Sequence, residues 1–141
     1  MKKLSFLLLL LPHLCFAQQK PPINGAKTII IYDVTFQDAL QAVREKGLHI
    51  DGMDAVEGVI RLSFIKADGY LYRLRLVDRE SRLRITGEFL RDKSSSYLNG
   101  EPKPDQIEDI QNKYISNRYM RDAFDKMTAF AKSFSRKIFF Y

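Results

Sequence analysis

The sequence predicts an α+β domain of two layers: one antiparallel sheet with two helices packed on one of its faces. Three observations carry this. Residues 59–90 alternate apolar and polar side chains with period two, the mark of strands with one buried and one wet face. Residues 36–43 and 120–134 instead repeat their apolar side chains at helical spacing. The turns between successive strands are short, which forces neighbouring strands antiparallel. The expected order is β-α-β-β-β-β-α, with a further short strand at the end.

The first stretch of the 141-residue chain reads as a secretory signal peptide, not as structure. Lys2 and Lys3 form a positive start. Leu4 to Leu11 is an apolar run too short to span a bilayer. Cys15-Phe16-Ala17 offers a cleavage site, with the cut after Ala17. Cys15 raises the question of a lipoprotein, but Pro12, His13 and Leu14 stand where a lipobox wants Leu and small residues, so ordinary cleavage is expected. Residues 1–17 are then the leader. Residues 18–26 (QQKPPINGA) are a flexible lead-in rich in Pro, Gly and Asn. Residues 27–141 are a single domain of a size that supports one core. The product is expected in the periplasm, at the cell surface or secreted.

Each element has a local reason. Residues 27–33 (KTIIIYD) form a strand because β-branched and aromatic residues favour one, and the unbroken apolar run suggests a place inside the sheet or covered on both faces. Thr35 is the expected N-cap of the first helix, with Asp38 closing a capping box. Phe36, Ala39, Leu40 and Val43 make its buried stripe, and Gly47 stops it. Residues 48–53 return as a weaker strand, and 54–58 turn. A three-stranded meander follows, turning first at 66–69 through the Asp68-Gly69 pair and then at 78–81. In its last strand Leu83, Ile85 and Phe89 point one way; Arg82, Arg84, Thr86 and Glu88 point the other.

Residues 91–113 are a long polar connection, broken up by Ser94-Ser95-Ser96, Asn99-Gly100 and Pro102-Lys103-Pro104. A loose helical turn is expected at 107–115. Ser116 or Asn117 caps the second helix, whose stripe is Met120, Ala123, Phe124, Met127, Ala131 and Phe134, with Phe130 beside it. Residues 137–141 (KIFFY) are expected to be a final edge strand or a tail docked on the sheet.

Composition narrows the chemistry. The chain carries 23 basic and 17 acidic residues, a net charge of +6, and two of the lysines lie in the leader. This mild basicity is compatible with anionic partners without demanding them. The single cysteine also lies in the leader, so zinc-thiolate and redox sites are excluded from the remainder. No later segment is long and apolar enough to cross a membrane.

The strand-to-helix entry TIIIYDVTFQDAL (28–40), the strand LRITGEF (83–89) and the ending DAFDKMTAFAKSF (122–134) before KIFFY resemble a family of small exported Bacteroidetes proteins of unknown function with a TBP-like fold. The resemblance covers residues 18–141 except 91–114. It implies a curled antiparallel sheet with the helices on its convex side. The family has no established activity, so it implies no catalytic residue.

Several features could carry chemistry. By alternation Arg61, Arg73, Arg75 and Arg84 share the sheet face opposite the helices, with Ser63, Thr86 and Glu88 nearby. Arginines grip carboxylates or phosphates with paired hydrogen bonds. The plainer reading is a solvated face whose arginine stems cover apolar surface. Tyr70 and Tyr72 belong to the opposite face with Leu74 and Leu76, so the aromatic interleaving wanted for single-stranded nucleic acid is poor. Asp51, Asp54 and Glu57 could hold calcium, but their spacing departs from an EF-hand loop and turn chemistry accounts for them. His49, flanked by Leu48 and Ile50, has no nucleophile at motif spacing and reads as a strand residue on the polar face. The terminal 138–141 segment reads as a packed strand, although an exposed one would accept a partner strand. Tyr97, Tyr114 and Tyr119 could rim a ligand site or anchor the long connection.

The expectation is therefore an exported, non-enzymatic binding module of the cell envelope, without cofactor or metal. It meets an envelope protein or an anionic ligand, not nucleic acid, through Arg61, Arg73, Arg75 and Arg84. The alternative is a structural or accessory subunit of an envelope assembly, docked by its C-terminal edge strand.

Overall fold

The structure, a computed structural model, describes residues 22–91, 97–98, 101–102, 106–113 and 117–141. The expected leader at 1–17 lies outside the described residues, as do 18–21 of the lead-in, Ser94 to Ser96, Asn99-Gly100, Tyr114 and Ser116. The elements in chain order are β1 (Ile29–Tyr32), α1 (Phe36–Glu45), β2 (Ile50–Asp54), β3 (Val59–Leu62), β4 (Ile65–Ala67), β5 (Tyr70–Arg79) and β6 (Arg82–Arg91). Then come β7 (Tyr97–Leu98), β8 (Glu101–Pro102), β9 (Glu108–Asp109), α2 (Arg118–Lys132) and β10 (Ile138–Phe140).

An eight-stranded antiparallel sheet, not closed on itself, runs in the order β10-β1-β6-β5-β3-β2, with β4 added to β5 and β9 to β6. The ladder between β5 and β6 is its spine. A two-residue turn, Glu80-Ser81, fixes their register with Arg79 opposite Arg82. Both turn residues have positive φ, 54° and 57°, the geometry whose twist matches that of the flanking strands.

Side chains from alternate positions make one core. Ile29 and Ile31 of β1, Ile60 and Leu62 of β3, Leu74 and Leu76 of β5, and Leu83 and Ile85 of β6 are all buried. They pack in one cluster with Ala39, Leu40 and Val43 of α1 and with Met120, Ala123, Phe124, Met127 and Ala131 of α2. Both helices therefore cover the same sheet face and leave the other open, as the alternation predicted. This is a mixed α+β arrangement.

The helix ends follow the sequence. At α1 the Asp38 N–H donates to Thr35 Oγ1 at 3.2 Å, and the Thr35 N–H donates to Asp38 Oδ2 at 2.9 Å. A second carboxylate reaches this terminus from the sheet: Asp78 Oδ2 accepts from the Phe36 N–H at 2.8 Å. Two acids at a helix N-terminus oppose its positive end. Asn117 caps α2, its side chain accepting from the N–H groups of Tyr119 and Met120.

Two expectations about the path change. The first meander strand is two pieces, β3 and β4, interrupted at Ser63-Phe64. Within 107–115, expected as a helical turn, residues 108–109 instead pair with β6, Asp109 opposite Glu88. Ile110 then seats over Gly87, where any Cβ would collide with its Cδ1. Asn112 continues the contact: its side-chain amide donates to the carbonyls of Pro22 and Ile23, and its backbone bonds Gly25 and Ala26. The return limb of the long connection thus lies between β6 and residues 22–26. A glycine at 87 and one amide at 112 direct this path; neither shows in a hydrophobic pattern. β10 pairs with β1, Ile138 opposite Ile31, and is the outermost strand on that side, with Ile138 and Phe140 buried.

Candidate functional site

The open face of the sheet is organised by cross-strand register. Arg61 of β3 stands directly opposite Arg75 of β5. Arg75 in turn stands opposite Thr86 of β6. Arg84 is opposite Val77 on one side and Ile30 of β1 on the other. Arg75 and Arg84 are therefore diagonal neighbours, whose Cβ atoms lie within roughly 8 Å, a span two long side chains readily bridge. All four arginines expected from the sequence line one cleft of about 240 Å³, together with Lys27, Thr28, Thr86, Gly87, Glu88 and Asp109. A wider depression of about 400 Å³ adjoins it, sharing Arg75, Arg84 and Thr86 and adding Ile30, Val77, Arg79 and Arg82.

The four arginines are not equivalent. Arg73 is held on two sides. Both its Nε and an Nη sit 2.6 Å from Glu88 Oε2, and its guanidinium lies 4.5 Å from the centre of the Phe64 ring. The Arg73 and Glu88 side chains are only 20% and 34% exposed, so this pair is screened little by solvent. Arg61 turns toward the sheet edge, where its Nε donates to Asp51 Oδ2 at 2.9 Å. Its guanidinium lies over Gly52, close enough that a Cβ there would be in van der Waals contact with it. Lys27 meets Asp109 at 3.4 Å, an exposed and correspondingly weak pair. Among the described residues, Arg75 and Arg84 meet no carboxylate.

That leaves an electrostatic imbalance. Like charges directly opposite on a sheet are destabilising, by some tenths of a kcal/mol. Arg61 and Arg75 are such a pair, and so are Arg79 and Arg82. Asp51 compensates the first from one side only, and exposed glutamates compensate the second, Glu57 reaching Arg79 at 3.7 Å and Glu80 pairing with Arg82. An anion between Arg75 and Arg84 would supply negative charge that no carboxylate among the described residues gives them. It would accept hydrogen bonds from two guanidinium forks, with the Thr86 hydroxyl within the same lining.

The other candidates resolve into structure. Asp54 accepts from the N–H groups of Val56 and Glu57, an Asx turn, while Asp51 and Glu57 are engaged by Arg61 and Arg79. This is the turn chemistry the spacing suggested. His49 is exposed, and its carbonyl accepts from the Ser63 N–H at 2.9 Å. Tyr119 packs half-buried beside the core, its ring tilted against that of Tyr70. The Tyr70 hydroxyl donates to Asp122 on the helix side; burial first, and that carboxylate second, push the phenol well above its ordinary range. Tyr72 is raised too, again by burial and then by Asp122. Both phenols remain protonated; Tyr70 donates to Asp122 and Tyr72 packs against the core, away from the cleft.

Period-two counting named part of the site and missed part. Arg79 lies on the same open face but was read inside the turn at 78–81, and Arg82, read on the face of Arg84, was not counted among the site arginines. Thr28 and Ile30 belong to the strand read as inside the sheet or covered on both faces; β1 is inside, between β10 and β6, but Ile30 is only half-buried and faces the open side. Lys27 and Asp109 meet across 82 residues of sequence, and no local signal announces that contact.

No model of a known protein family matches the chain, and no curated protein matches it significantly.

Proposed function

We propose that this protein is an exported, non-enzymatic binding module of the cell envelope that holds an anionic ligand on the helix-free face of its sheet. The observation that carries the reading is the pair Arg75 and Arg84: diagonal neighbours in a concave lining, without a carboxylate partner among the described residues. The export signal read at residues 1–17 supplies the compartment. The non-enzymatic reading draws on the lining itself. The carboxylates of the narrower cleft, Glu88 and Asp109, are each committed to a cation, and among the described residues no histidine, cysteine or serine lines it. The likeness of residues 28–40, 83–89 and 122–134 to the exported Bacteroidetes family and its TBP-like fold belongs to the same proposal.

The test is a titration of the purified protein with oligomeric anions at low salt, repeated with Arg75→Ser and Arg84→Ser. Saturable binding lost in both variants, with unchanged circular dichroism, supports the reading. Binding that survives both substitutions contradicts it.

A second reading, an accessory subunit docked by its C-terminal edge, draws on β10 being the outermost strand. It requires self-association or complex formation that an edge-blocking charge at Tyr141, which is 59% exposed, would abolish.

A further inference from the structure

The open face offers more than a single anion needs. Beyond the Arg75–Arg84 pair, the second depression brings in Arg79 and Arg82 in continuous line with the first. From Arg73 to Arg79 along β5 the two clefts run for about 20 Å, with same-face positions about 7 Å apart. The glutamate partners of Arg79 and Arg82 are mostly exposed, at 63% and 78%, so an incoming anion can exchange with them at little cost. A lone phosphate or carboxylate would leave this second half of the face without a role.

We infer that the ligand is a linear acidic polysaccharide, a chain of uronate-type sugars laid along the β5–β6 ladder across both clefts. This rests on the anion-binding reading above and names its ligand class. The lining separates the candidate polyanions. At Arg75 to Val77, β5 is paired on both sides, by β3 and by β6, so its main chain is spent and cannot hold an acidic peptide by strand addition. Of the aromatic rings on this face, Tyr32 and Phe139 stand edge to face at 5.2 Å on the β1–β10 margin, and Phe64 is taken up by the Arg73 guanidinium; among the described residues none lines the clefts between Arg75, Arg84, Arg79 and Arg82. A single-stranded nucleic acid wants rings between its cations. Apart from Glu88 and Asp109, which are paired with Arg73 and Lys27, what lies among the arginines is hydroxyl and aliphatic surface: Thr28, Thr86, Ile30 and Val77. A sugar ring presents the complement, with hydroxyls on its rim, C–H groups on its faces and a carboxylate that a guanidinium fork grips bidentately.

The experiment measures the affinity of the purified full chain for galacturonate and for its oligomers of increasing length. Neutral cello-oligosaccharides, poly-glutamate, oligothymidylate and vesicles containing anionic lipid run beside them. The expected result is affinity that climbs at least about tenfold from monomer to octamer, because linked sites bind intramolecularly. The octamer should exceed the peptide, the oligonucleotide and the vesicles, and the neutral sugar should stay silent. Arg79→Ser with Arg82→Ser should lower octamer affinity several-fold. An octamer that binds no better than the monomer would overturn the polysaccharide and leave the single-anion site standing. Preference for the peptide, the oligonucleotide or the vesicles would overturn it in favour of that class. Silence toward every anion would overturn both readings.

Discussion

Two sets of arginines share one face of this sheet and differ in what holds them. Arg61 and Arg73 are closed: each is bound to a carboxylate, and Arg73 also lies on the ring of Phe64. Arg75 and Arg84 are open, with threonine and aliphatic neighbours and no carboxylate partner among the described residues. The difference teaches that a basic surface is not one property. A closed arginine such as Arg73 contributes to stability, whereas Arg75 is set against Arg61 across the ladder, Arg84 stands between Val77 and Ile30, and both would gain from an external anion. The core side of the same strands sets the scale for both, since Leu76 and Ile85 are fully buried a single residue away from Arg75 and Arg84.

The contrast can be broken at several points. The largest effect belongs to the core side. Leu76→Ala should lower stability by about 2–5 kcal/mol in denaturant unfolding, through lost transfer energy and the cavity left behind. A loss below about 1 kcal/mol would mean that the inner face is not packed as described. Next, Arg75→Ser and Arg84→Ser should each weaken anion binding about tenfold or more, since a charge-assisted hydrogen bond contributes about 1.5–3 kcal/mol. Arg75→Ser should leave unfolding midpoints level or slightly raised, because it relieves the opposition to Arg61.

Arg73→Ser reverses the pattern. It strands Glu88, which is two-thirds buried, and should cost about 1–3 kcal/mol of stability. Its effect on anion affinity should be less than about threefold at matched folding. A larger loss of affinity than Arg84→Ser produces would erase the distinction between closed and open arginines.

Smaller effects test the scaffold that sets the register. Ser81→Gly should stabilise by up to about 1 kcal/mol, since Ser81 holds a left-handed φ of 57° that glycine adopts freely. Asp38→Ala should destabilise by a few tenths to about 1 kcal/mol at neutral pH, through loss of the reciprocal half of the α1 capping box and of a negative charge at the helix N-terminus. Asp38 is held below the ordinary carboxylate range by the Thr35 N–H and then by the Thr35 hydroxyl. A depressed acid contributes stability above its unfolded pKa and loses it as pH falls through the folded one. The gap in Tm between wild type and Asp38→Ala should therefore hold from neutral pH down to about pH 4 and shrink below it.

How much of this was legible in the sequence depends on the range of the signal. Local patterns located both helices, the cap at Thr35, the second cap to within Ser116 or Asn117, and the core stripes, because periodicity and capping are properties of neighbouring residues. The face shared by Arg61, Arg73, Arg75 and Arg84 followed from counting in twos. The pairings did not. Glu88 and Phe64 close Arg73 through register and a strand break, and Asp51 draws Arg61 aside over Gly52. The course of residues 106–113 also escaped, since it depends on Ile110 finding room at Gly87 and on Asn112 bonding residues 22 to 26. Alternation says which way a side chain points; only the assembled sheet says what it meets.

The most direct test follows the guanidinium groups themselves. Nitrogen-15 spectra of the arginine Nε–H groups, recorded while a short oligogalacturonate is added at low salt, report each side chain separately. Saturable shifts at Arg75 and Arg84, with Arg73 nearly still, are the predicted result. Shifts led by Arg73, or equal small drifts across all the arginines, would contradict the claim that the open pair is the seat of binding.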